Sequence, residues 1–387
     1  MAATRNALVS ETPDVAGPAA VAIDIRGLRK VYANGAVGLE RIDLSIEPGE
    51  LVIFLGPSGS GKTTLLRVIA GLDEATEGEI LFDSHDVTNA APDERNISMV
   101  FQDLALYPHL KVKDNIAFPL RAHKRHSKDA IARTVREKAN LLGIEHLLDR
   151  GLGQLSGGER QRVALARALV REPTAYLFDE PFSSLDAMLK REFRAELKRF
   201  QRQVRTTSMF VTHDQEDAMT MADRIALFRM GRLVQFGSPW ELFGRPETLF
   251  AATFVGSPPI NTAVGRIDRG DGAASVVLDG VAIPLDIRED AAIRPEVTLG
   301  VRPQDLRWNP TSGSPSTFPV EVGVIEPLGV QAIAHMTTPF GEWAGVFPAE
   351  EVPREGTRGR LGFEPSAVHL FNGTEEEARR IDSRRRP

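Results

Sequence analysis

The 387-residue sequence contains no cysteine, which excludes disulfides, thiolate nucleophiles and thiolate metal sites. It also lacks a long apolar run: no stretch approaches the roughly 18 residues that a membrane-spanning helix needs. Aromatic residues make up only 6%, and the net charge of −6 counts against a partner held by nucleic-acid phosphates. Any role at a membrane must therefore depend on a partner protein.

The most informative stretch that is present is a glycine-rich loop. It follows the apolar run 51–55 and precedes apolar residues at helical spacing, so a strand, a loop and a helix occur in that order. Glycines let backbone N–H groups turn toward an anion, and the helix N-terminus adds partial positive charge. The pattern predicts a phosphate-binding loop, in which Lys62 reaches the β- and γ-phosphates and the Thr63 hydroxyl binds magnesium. The residues predicted to hold the nucleotide here are Gly56, Pro57, Ser58, Gly59, Ser60, Gly61, Lys62, Thr63 and Thr64.

Two later strand ends carry groups suited to hydrolysis of a bound γ-phosphate. The buried-strand pattern 176–178 ends in Asp179 and Glu180, whose side chains point in different directions because strand residues alternate. Asp179 is predicted to complete a magnesium shell, and Glu180 to orient and deprotonate the attacking water. A short strand, 209–211, delivers His213, whose imidazole is predicted to contact the γ-phosphate and orient Glu180.

Three weaker patterns complete the predicted site. A strand ending at Gln102 places an amide near the magnesium ion or the attacking water. Tyr32 precedes a turn, where its ring either stacks on adenine or packs at a strand end. Ser156, Gly157 and Gly158 begin a helix. They form either a second anion site, which faces the phosphates bound by another copy of the chain, or an ordinary serine N-cap.

The stretch 121–138 is basic and has helical composition. Its histidines, including His123 and His126, raise the possibility of a metal site, but no acidic or cysteine ligand adjoins them. A solvated helix face is the favoured interpretation. Just before this stretch, the apolar turn 104–110 would be unusual as an exposed loop unless it contacts a partner.

Beyond about residue 245 the composition changes to short β-like runs. A linker rich in proline and glycine, 254–261, leads into these runs, and an Asp279-Gly280 turn lies between two of them. The spacing predicts a small β-barrel of the oligonucleotide- or oligosaccharide-binding type. By shape alone, such a barrel could bind RNA, a sugar or another copy of itself. The predicted strands lie at 263–267, 273–278, 281–285, 297–301, 320–325, 330–335 and 367–371.

Residues 21 to about 245 resemble the ATPase subunit of ATP-binding-cassette (ABC) transporters. The motifs that carry the resemblance occur in the family's order: the GPSGSGKT loop, Gln102, LSGGERQR, the YLFDEP strand, SSLD and His213. The resemblance implies that Tyr32 stacks on adenine, that Gln102 senses magnesium, and that Ser156 to Gly158 complete the site of the opposite subunit. Two ATP molecules would lie between two cassettes arranged head to tail, and hydrolysis would let the cassettes part.

The C-terminal motifs FVGSPPIN, GVRPQDL and FEPSAVHLF are similar to the C-terminal domain of importer ATPases of the maltose and glycerol-phosphate type, where the barrel is regulatory and helps hold two subunits together. The expected fold is therefore α/β, with a P-loop cassette made of a RecA-like core, an antiparallel β subdomain and a helical subdomain. An all-β, OB-like domain of the TOBE/MOP type follows. The predicted segments are a disordered tail at 1–20, the nucleotide-binding domain at 21–245 with a helical subdomain at about 103–165, the barrel at 246–372, and a basic tail at 373–387, interpreted as disordered.

The resemblance implies a homodimeric ATPase at the cytoplasmic face of the cell membrane, with ATP and Mg²⁺ as cofactors. Its partners would be a second copy of itself, two membrane-spanning permease subunits whose coupling helices meet the helical subdomain, and indirectly an extracytoplasmic solute-binding protein. The expected solute is a sugar or a polyol-phosphate.

Two departures from the sugar-importer pattern leave the solute open. Leu104 stands where that group often has tyrosine, and Phe182, Ser183 and Ser184 stand where it often has Leu-Ser-Asn. Polyamine, iron and inorganic-anion importers are the alternatives within transport. A soluble cassette ATPase acting on nucleic acid or ribosomes is disfavoured, because the chain has one cassette, no sustained heptads and an acidic net charge. No nucleic-acid partner is expected.

Overall fold

The computed structural model describes residues 20–122, 126–183, 185–269, 274–285, 293–310 and 316–381. Predictions for His123, for Ser184 and for nearly all of the segment 1–20 lie outside the described residues. The chain forms two compact units. The first contains the chain up to residue 213 together with 220–223 and 230–232, and the second contains 214–219, 224–229 and the chain from 233 onward.

The first unit combines a parallel sheet, an antiparallel sheet and a group of helices. Its elements in chain order are β1 (Ile23–Val31), β2 (Val37–Ile46), β3 (Leu51–Leu55), α1 (Lys62–Ile69), β4 (Glu77–Phe82), β5 (His85–Asp86), β6 (Ile97–Val100), α2 (Val112–Ala122), α3 (Lys128–Leu141), α4 (Gly157–Leu169), β7 (Ala175–Asp179), α5 (Ala187–Val204) and β8 (Thr207–Thr212).

The parallel strands lie in the order β3-β8-β7-β6. Every residue of β3, β7 and β8 is buried. Burial on both faces explains why β3 is a continuous apolar run, and why β7 is one up to Asp179. The carboxyl ends of parallel strands meet at one edge of a sheet. The glycine loop after β3, Asp179 at the end of β7 and His213 just after β8 therefore come to the same edge.

The antiparallel sheet has the order β2-β1-β4-β5. Strand β1 pairs with both long neighbours, so that Ile25 lies opposite Leu44 on one side and Ile80 on the other. The stretch 121–138, which was predicted to be helical, contains the end of α2 and most of α3. The Ser127 hydroxyl accepts a hydrogen bond from the Ala130 N–H and thereby starts α3 as a separate helix. No helix in the described ranges is long and apolar enough to cross a membrane.

Beyond β8 the chain continues through short helices into a β-rich region. The elements are α6 (Gln215–Met221), β9 (Arg224–Arg229), β10 (Arg232–Gly237), α7 (Pro239–Gly244), α8 (Leu249–Phe254), β11 (Asn261–Arg269), β12 (Ala274–Leu278), β13 (Val281–Leu285), β14 (Glu296–Val301), β15 (Arg307–Trp308), β16 (Ser316–Pro327), β17 (Gln331–Thr338), β18 (Gly341–Pro348), β19 (Arg358–Phe363), β20 (Val368–Phe371) and β21 (Arg380–Ile381).

The strands from β11 onward form two antiparallel sheets, β13-β12-β11-β14-β20-β21 and β15-β19-β16-β17-β18. Residues of both sheets share one apolar core, which includes Leu299, Phe318 and Trp343. The Asn261 side chain exchanges two hydrogen bonds with the backbone of Ala344, each of 2.8 Å, and so ties β11 to β18. The predicted all-β character of this region is confirmed.

The chain end differs from the sequence-based expectation. The tail from residue 373 was expected to be disordered, but β21 pairs with β20, and the Arg380 N–H donates to the Glu247 carbonyl. Disorder is therefore the wrong description for 373–381, because backbone pairing fixes this segment. Arg384 to Arg386 lie outside the described residues.

Candidate nucleotide-binding site

The glycine loop connects β3 directly to α1, as the sequence predicts. Gly61 has a φ of 102°, and a Cβ at this position would lie 2.7 Å from the Gly38 carbonyl oxygen, so only glycine fits. Within the described residues, the Ser60 hydroxyl is buried and has no hydrogen-bond partner. A buried, unpaired hydroxyl inside a loop of backbone N–H groups is consistent with a site for an oxygen-rich anion.

Lys62 lies inside this loop rather than on the surface. Its side chain is buried, and its ammonium donates to the carbonyl oxygens of Gly56 and Pro57, each at 2.8 Å. Burial lowers the pKa of Lys62, and the nearby carboxylates of Glu180 and Asp179 oppose that effect. The loop therefore holds a positive charge where phosphate oxygens would approach.

Thr63 and Asp179 form the part of the site suited to a metal ion. The Thr63 hydroxyl donates to Asp179 Oδ1 at 2.9 Å. Burial raises the pKa of Asp179, and the hydrogen bond from Thr63 opposes this rise. A hydroxyl and a carboxylate are the oxygen donors that Mg²⁺ prefers. Within the described ranges, no group of three or more His, Cys, Asp or Glu side chains is arranged to hold a metal ion, so phosphate and water oxygens would have to complete the coordination of such an ion.

Glu180 and His213 are paired beside these residues. Glu180 follows β7 with a φ of 45°, a left-handed conformation that is uncommon for glutamate and is typical of functional sites. Its Oε2 lies 3.3 Å from His213 Nδ1. Asp179 contacts Thr63 while Glu180 contacts His213, so the two adjacent carboxylates do point in different directions.

Tyr32 lies beside the start of α1. Its hydroxyl is 3.0 Å from Thr64 Oγ1, and Lys30 Nζ is 5.3 Å from the centre of its ring. The residue is 37% exposed, which leaves ring surface open to a planar partner. A Cβ at Gly38 would lie 2.8 Å from the ring, so a glycine that sequence reasoning missed provides room for Tyr32. Stacking on adenine stays a prediction.

A second residue that sequence reasoning missed supports the loop from behind. The Gly231 N–H donates to the Ser60 carbonyl at 3.0 Å, and the Gly231 carbonyl accepts from the Glu40 N–H at 2.9 Å. The sequence signal was the Met230-Gly231 turn between two strand-like runs. It gave no indication that this turn lies against the glycine loop.

Gln102 lies in an exposed turn, and β6 already ends at Val100. The prediction that a strand ends on Gln102 is therefore wrong by two residues. Its position remains near the correct edge, because β6 is the neighbour of β7 in the sheet. The following turn is held by Arg167, which donates to the carbonyl oxygens of Leu104 and Ala105.

Ser156 has the geometry of a helix N-cap. Its hydroxyl accepts from the Glu159 N–H at 3.2 Å, while the Glu159 carboxylate accepts from the Ser156 N–H at 2.7 Å. Gly158 is buried, and a Cβ there would lie 2.4 Å from Leu189 Cδ2, so close packing against α5 requires glycine. The N-cap is thus present, and the additional role of Ser156, Gly157 and Gly158 toward a second copy stays a prediction.

Comparison with known proteins gives matches along almost the whole chain. The family model described as ABC transporter matches residues 39–183, and the model described as TOBE domain matches residues 299–371. The chain is 44% identical to the sulfoquinovosyl glycerol transport ATP-binding protein SmoE of Agrobacterium fabrum, over 92% of this chain and 99% of that protein. It is 42% identical to the sn-glycerol-3-phosphate import ATP-binding protein UgpC of a Jannaschia species, over 93% of this chain and 99% of that protein.

A solved structure matches the cassette portion. It is the dimeric post-hydrolysis state of the ATP-binding cassette MJ0796 bound to ADP and Pi, with a TM-score of 0.52 and 32% identity, over 56% of this chain and 98% of that one.

The fold and the site define a P-loop ATPase that carries a C-terminal β-rich domain. The end-to-end matches then show which family this is: the chain belongs to the ATP-binding proteins of ABC transporters. The predicted resemblance to importer ATPases is confirmed, as is the predicted order of an α/β cassette followed by a TOBE domain. The protein is an ABC-type ATPase, and ATP is its nucleotide.

Proposed function

We propose that this chain is the ATP-hydrolysing subunit of an importer for a sugar or a polyol-phosphate. The observation that carries the proposal is the arrangement of Lys62, Asp179, Glu180 and His213 at one edge of the parallel sheet. The direction of transport and the solute class are supported by relatives named for import of sn-glycerol 3-phosphate and transport of sulfoquinovosyl glycerol.

Each residue at this edge has a distinct role in the proposed reaction. Lys62 and the loop N–H groups bind the β- and γ-phosphates, and Tyr32 stacks on the adenine. Thr63 and Asp179 would hold Mg²⁺, and the Gln102 amide would sense it; when bound, this ion would supply positive charge to the phosphate oxygens. Glu180 accepts the proton of the attacking water. The contact between His213 and Glu180 keeps that carboxylate oriented.

The proposed working form is a head-to-tail homodimer. Ser156 is exposed at the N-terminus of α4, where its hydroxyl and the following N–H groups can approach an anion on another molecule. A dimeric cassette with ADP and Pi is among the structures that match this chain, which supports a dimer here. The head-to-tail arrangement of its two copies is our proposal. In this arrangement Ser156, Gly157 and Gly158 of one copy complete the nucleotide site of the other.

A groove in the first unit suits the contact with a membrane subunit. It has a volume of about 400 Å³ and is lined largely by apolar groups between β6 and α2, including Phe101, Phe118 and Pro119. Phe118 is 42% exposed, so the groove presents an aromatic surface. We assign this groove to a helix of the permease, next to the turn 104–110 that was predicted to contact it. Attachment to the membrane then comes through the permease.

Transport-coupled ATPase activity tests the proposal. The chain is co-expressed with candidate permease subunits, placed in liposomes and supplied with a binding protein loaded with sn-glycerol 3-phosphate, a sugar or no solute. We expect one loaded solute to stimulate hydrolysis, and Glu180→Gln to abolish the stimulated rate. Stimulation only by a polyamine, iron or an inorganic anion would refute the proposed solute class and leave the cassette chemistry intact.

A further inference from the structure

Arg302 is a buried cation in the second unit that the hydrolytic site does not explain. It follows β14, is 2% exposed, and burial lowers its pKa to about 10. Its guanidinium lies 4.2 Å from the centre of the Phe243 ring and donates to the Phe243, Ala252 and Val255 carbonyl oxygens. These carbonyls lie near the ends of α7 and α8, so one side chain of the β-rich domain fixes both short helices.

The Val255–Gly256 peptide group is held from both of its sides. Its carbonyl oxygen accepts from Arg302, and its N–H donates to Gln215 Oε1 at 2.9 Å. Gly256 has a φ of 121°, and a Cβ there would lie 2.8 Å from Arg302 Nη1. Only glycine fits at position 256, and the two hydrogen bonds fix the orientation of this peptide group. The peptide group thereby connects Arg302 to Gln215.

Gln215 begins α6 and follows His213 by two residues. Between them, Asp214 Oδ1 accepts from the Glu216 N–H at 2.9 Å and so tightens the start of the helix. A displacement of the Gln215 side chain would change how α6 begins and hence where the side chain of the residue two positions before it points. That residue is His213, whose Nδ1 is 3.3 Å from Glu180.

We propose that Gln215 is a positioning residue for His213, and that the connection from Arg302 through the Val255–Gly256 peptide to Gln215 carries the state of the C-terminal β-rich domain to the hydrolytic site. The inference rests on the proposed function, because it uses the role of His213 beside Glu180. This connection would let the C-terminal domain change the rate of hydrolysis through named contacts. Nucleotide affinity is expected to stay unchanged, because the proposed route acts on the contact between His213 and Glu180 rather than on the glycine loop.

Steady-state ATPase kinetics of the purified full-length chain test this route. Gln215→Ala removes the acceptor for the Gly256 N–H. We expect it to lower kcat by about tenfold with little change in the KM for ATP, a loss below the roughly hundredfold that a misplacement of about 1 Å can cause. Gln215→Glu keeps an acceptor oxygen at the same position, and we expect it to retain most of the activity. Gln203→Ala, at an exposed glutamine of α5, is the matched control and should hydrolyse at the unaltered rate.

Arg302→Met tests the same connection at its other end, because it removes the hydrogen bond to the Val255 carbonyl. We expect it to lower kcat, and the double variant Gln215→Ala/Arg302→Met to be no slower than the slower single variant, because both changes break one path. Should Arg302→Met fail to fold, the comparison of Gln215→Ala with Gln215→Glu decides alone.

Two results would overturn the inference: an unchanged kcat in Gln215→Ala, or a loss in Gln215→Glu as large as in Gln215→Ala. An inactive unaltered chain would instead refute the proposed function, so the two failures are distinguishable.

Discussion

Glu180 occupies a left-handed backbone conformation directly after a fully buried strand. This conformation carries an energetic cost for glutamate, and it places the carboxylate against His213 rather than along the strand. The neighbouring Asp179 is buried and bonded to Thr63. Two adjacent carboxylates in such different surroundings can serve two purposes, one as a metal ligand and one as a base.

Replacing Glu180 by glutamine tests the assignment of the base. The amide has almost the same shape but cannot accept the proton of the attacking water. We expect hydrolysis to fall by about 10²-fold or more, while ATP binding persists and an ATP-dependent dimer accumulates. ATPase assays combined with size-exclusion chromatography in the presence of ATP measure both effects. A variant that hydrolyses at the unaltered rate would remove Glu180 from this role.

His369 makes the second unit sensitive to acid. It is 8% exposed in β20, its Nδ1 has no hydrogen-bond partner in the described part of the chain, and burial together with nearby Arg380 and Arg302 lowers its pKa to about 3. Because an unfolded histidine has a pKa of about 6.5, the unfolded chain binds more protons than the folded chain between these two values. Folding stability therefore falls as the pH falls through this window.

We expect this histidine to cost about 2 kcal/mol of folding stability at pH 5 relative to pH 7. All three tryptophans, Trp240, Trp308 and Trp343, belong to the second unit, so tryptophan fluorescence during urea unfolding reports on it. His369→Phe should lose most of the stability difference between pH 7 and pH 5. An equal difference in both proteins would show that other groups control the acid sensitivity.

At the scale of the elements, the packing of α4 against α5 gives Gly158 a structural reason to be glycine, apart from any role at the nucleotide site. A Cβ at Gly158 would meet Leu189 Cδ2 at 2.4 Å and Leu185 Cδ2 at 3.3 Å. We expect Gly158→Val to destabilise the first unit by about 1–3 kcal/mol through overpacking, without nucleotide present. Gly151→Ala is the control, because a Cβ at Gly151 meets nothing within 4 Å. Thermal unfolding followed by circular dichroism compares the two, and equal stabilities would contradict the packing argument.

The elements that could be predicted from the sequence are those whose hydrophobic pattern lies within one short stretch of the chain. Strand β3 and helix α1 around the glycine loop have continuous apolar runs or helical spacing, and the structure has both there. The start of α3 was not predicted, because it is marked by one serine cap, Ser127, within a largely basic stretch. The positions of Gly231 behind the loop and of Arg302 behind Gly256 were also missed. These contacts join residues that are distant in the chain, and the hydrophobic periodicity of a sequence gives no information about such contacts.

At the scale of the whole molecule, ATP hydrolysis and its proposed regulation belong to different units. The first contains the residues that would bind and hydrolyse ATP, and the second contains the β-rich domain and its short helices. The chain passes from the first unit to the second immediately after His213, so this residue of the hydrolytic site is joined by a peptide bond to the unit proposed to regulate it. This placement favours control of the rate rather than of nucleotide affinity.

The head-to-tail dimer predicts complementation between two inactive chains. Lys62→Ala removes the phosphate cation of a chain's own site, and Ser156→Arg spoils the site of its partner, so each homodimer should be inactive. In a mixture, each heterodimer retains one site with both residues intact, and ATPase activity should recover to roughly a quarter of the unaltered rate, given random pairing in a two-fold dimer. Mixing Ser156→Arg with the double variant Lys62→Ala/Ser156→Arg leaves no intact site and is the control. If the first mixture is no more active than this control, Ser156 does not act on the nucleotide of a second copy, and its role reduces to the helix cap seen within one chain.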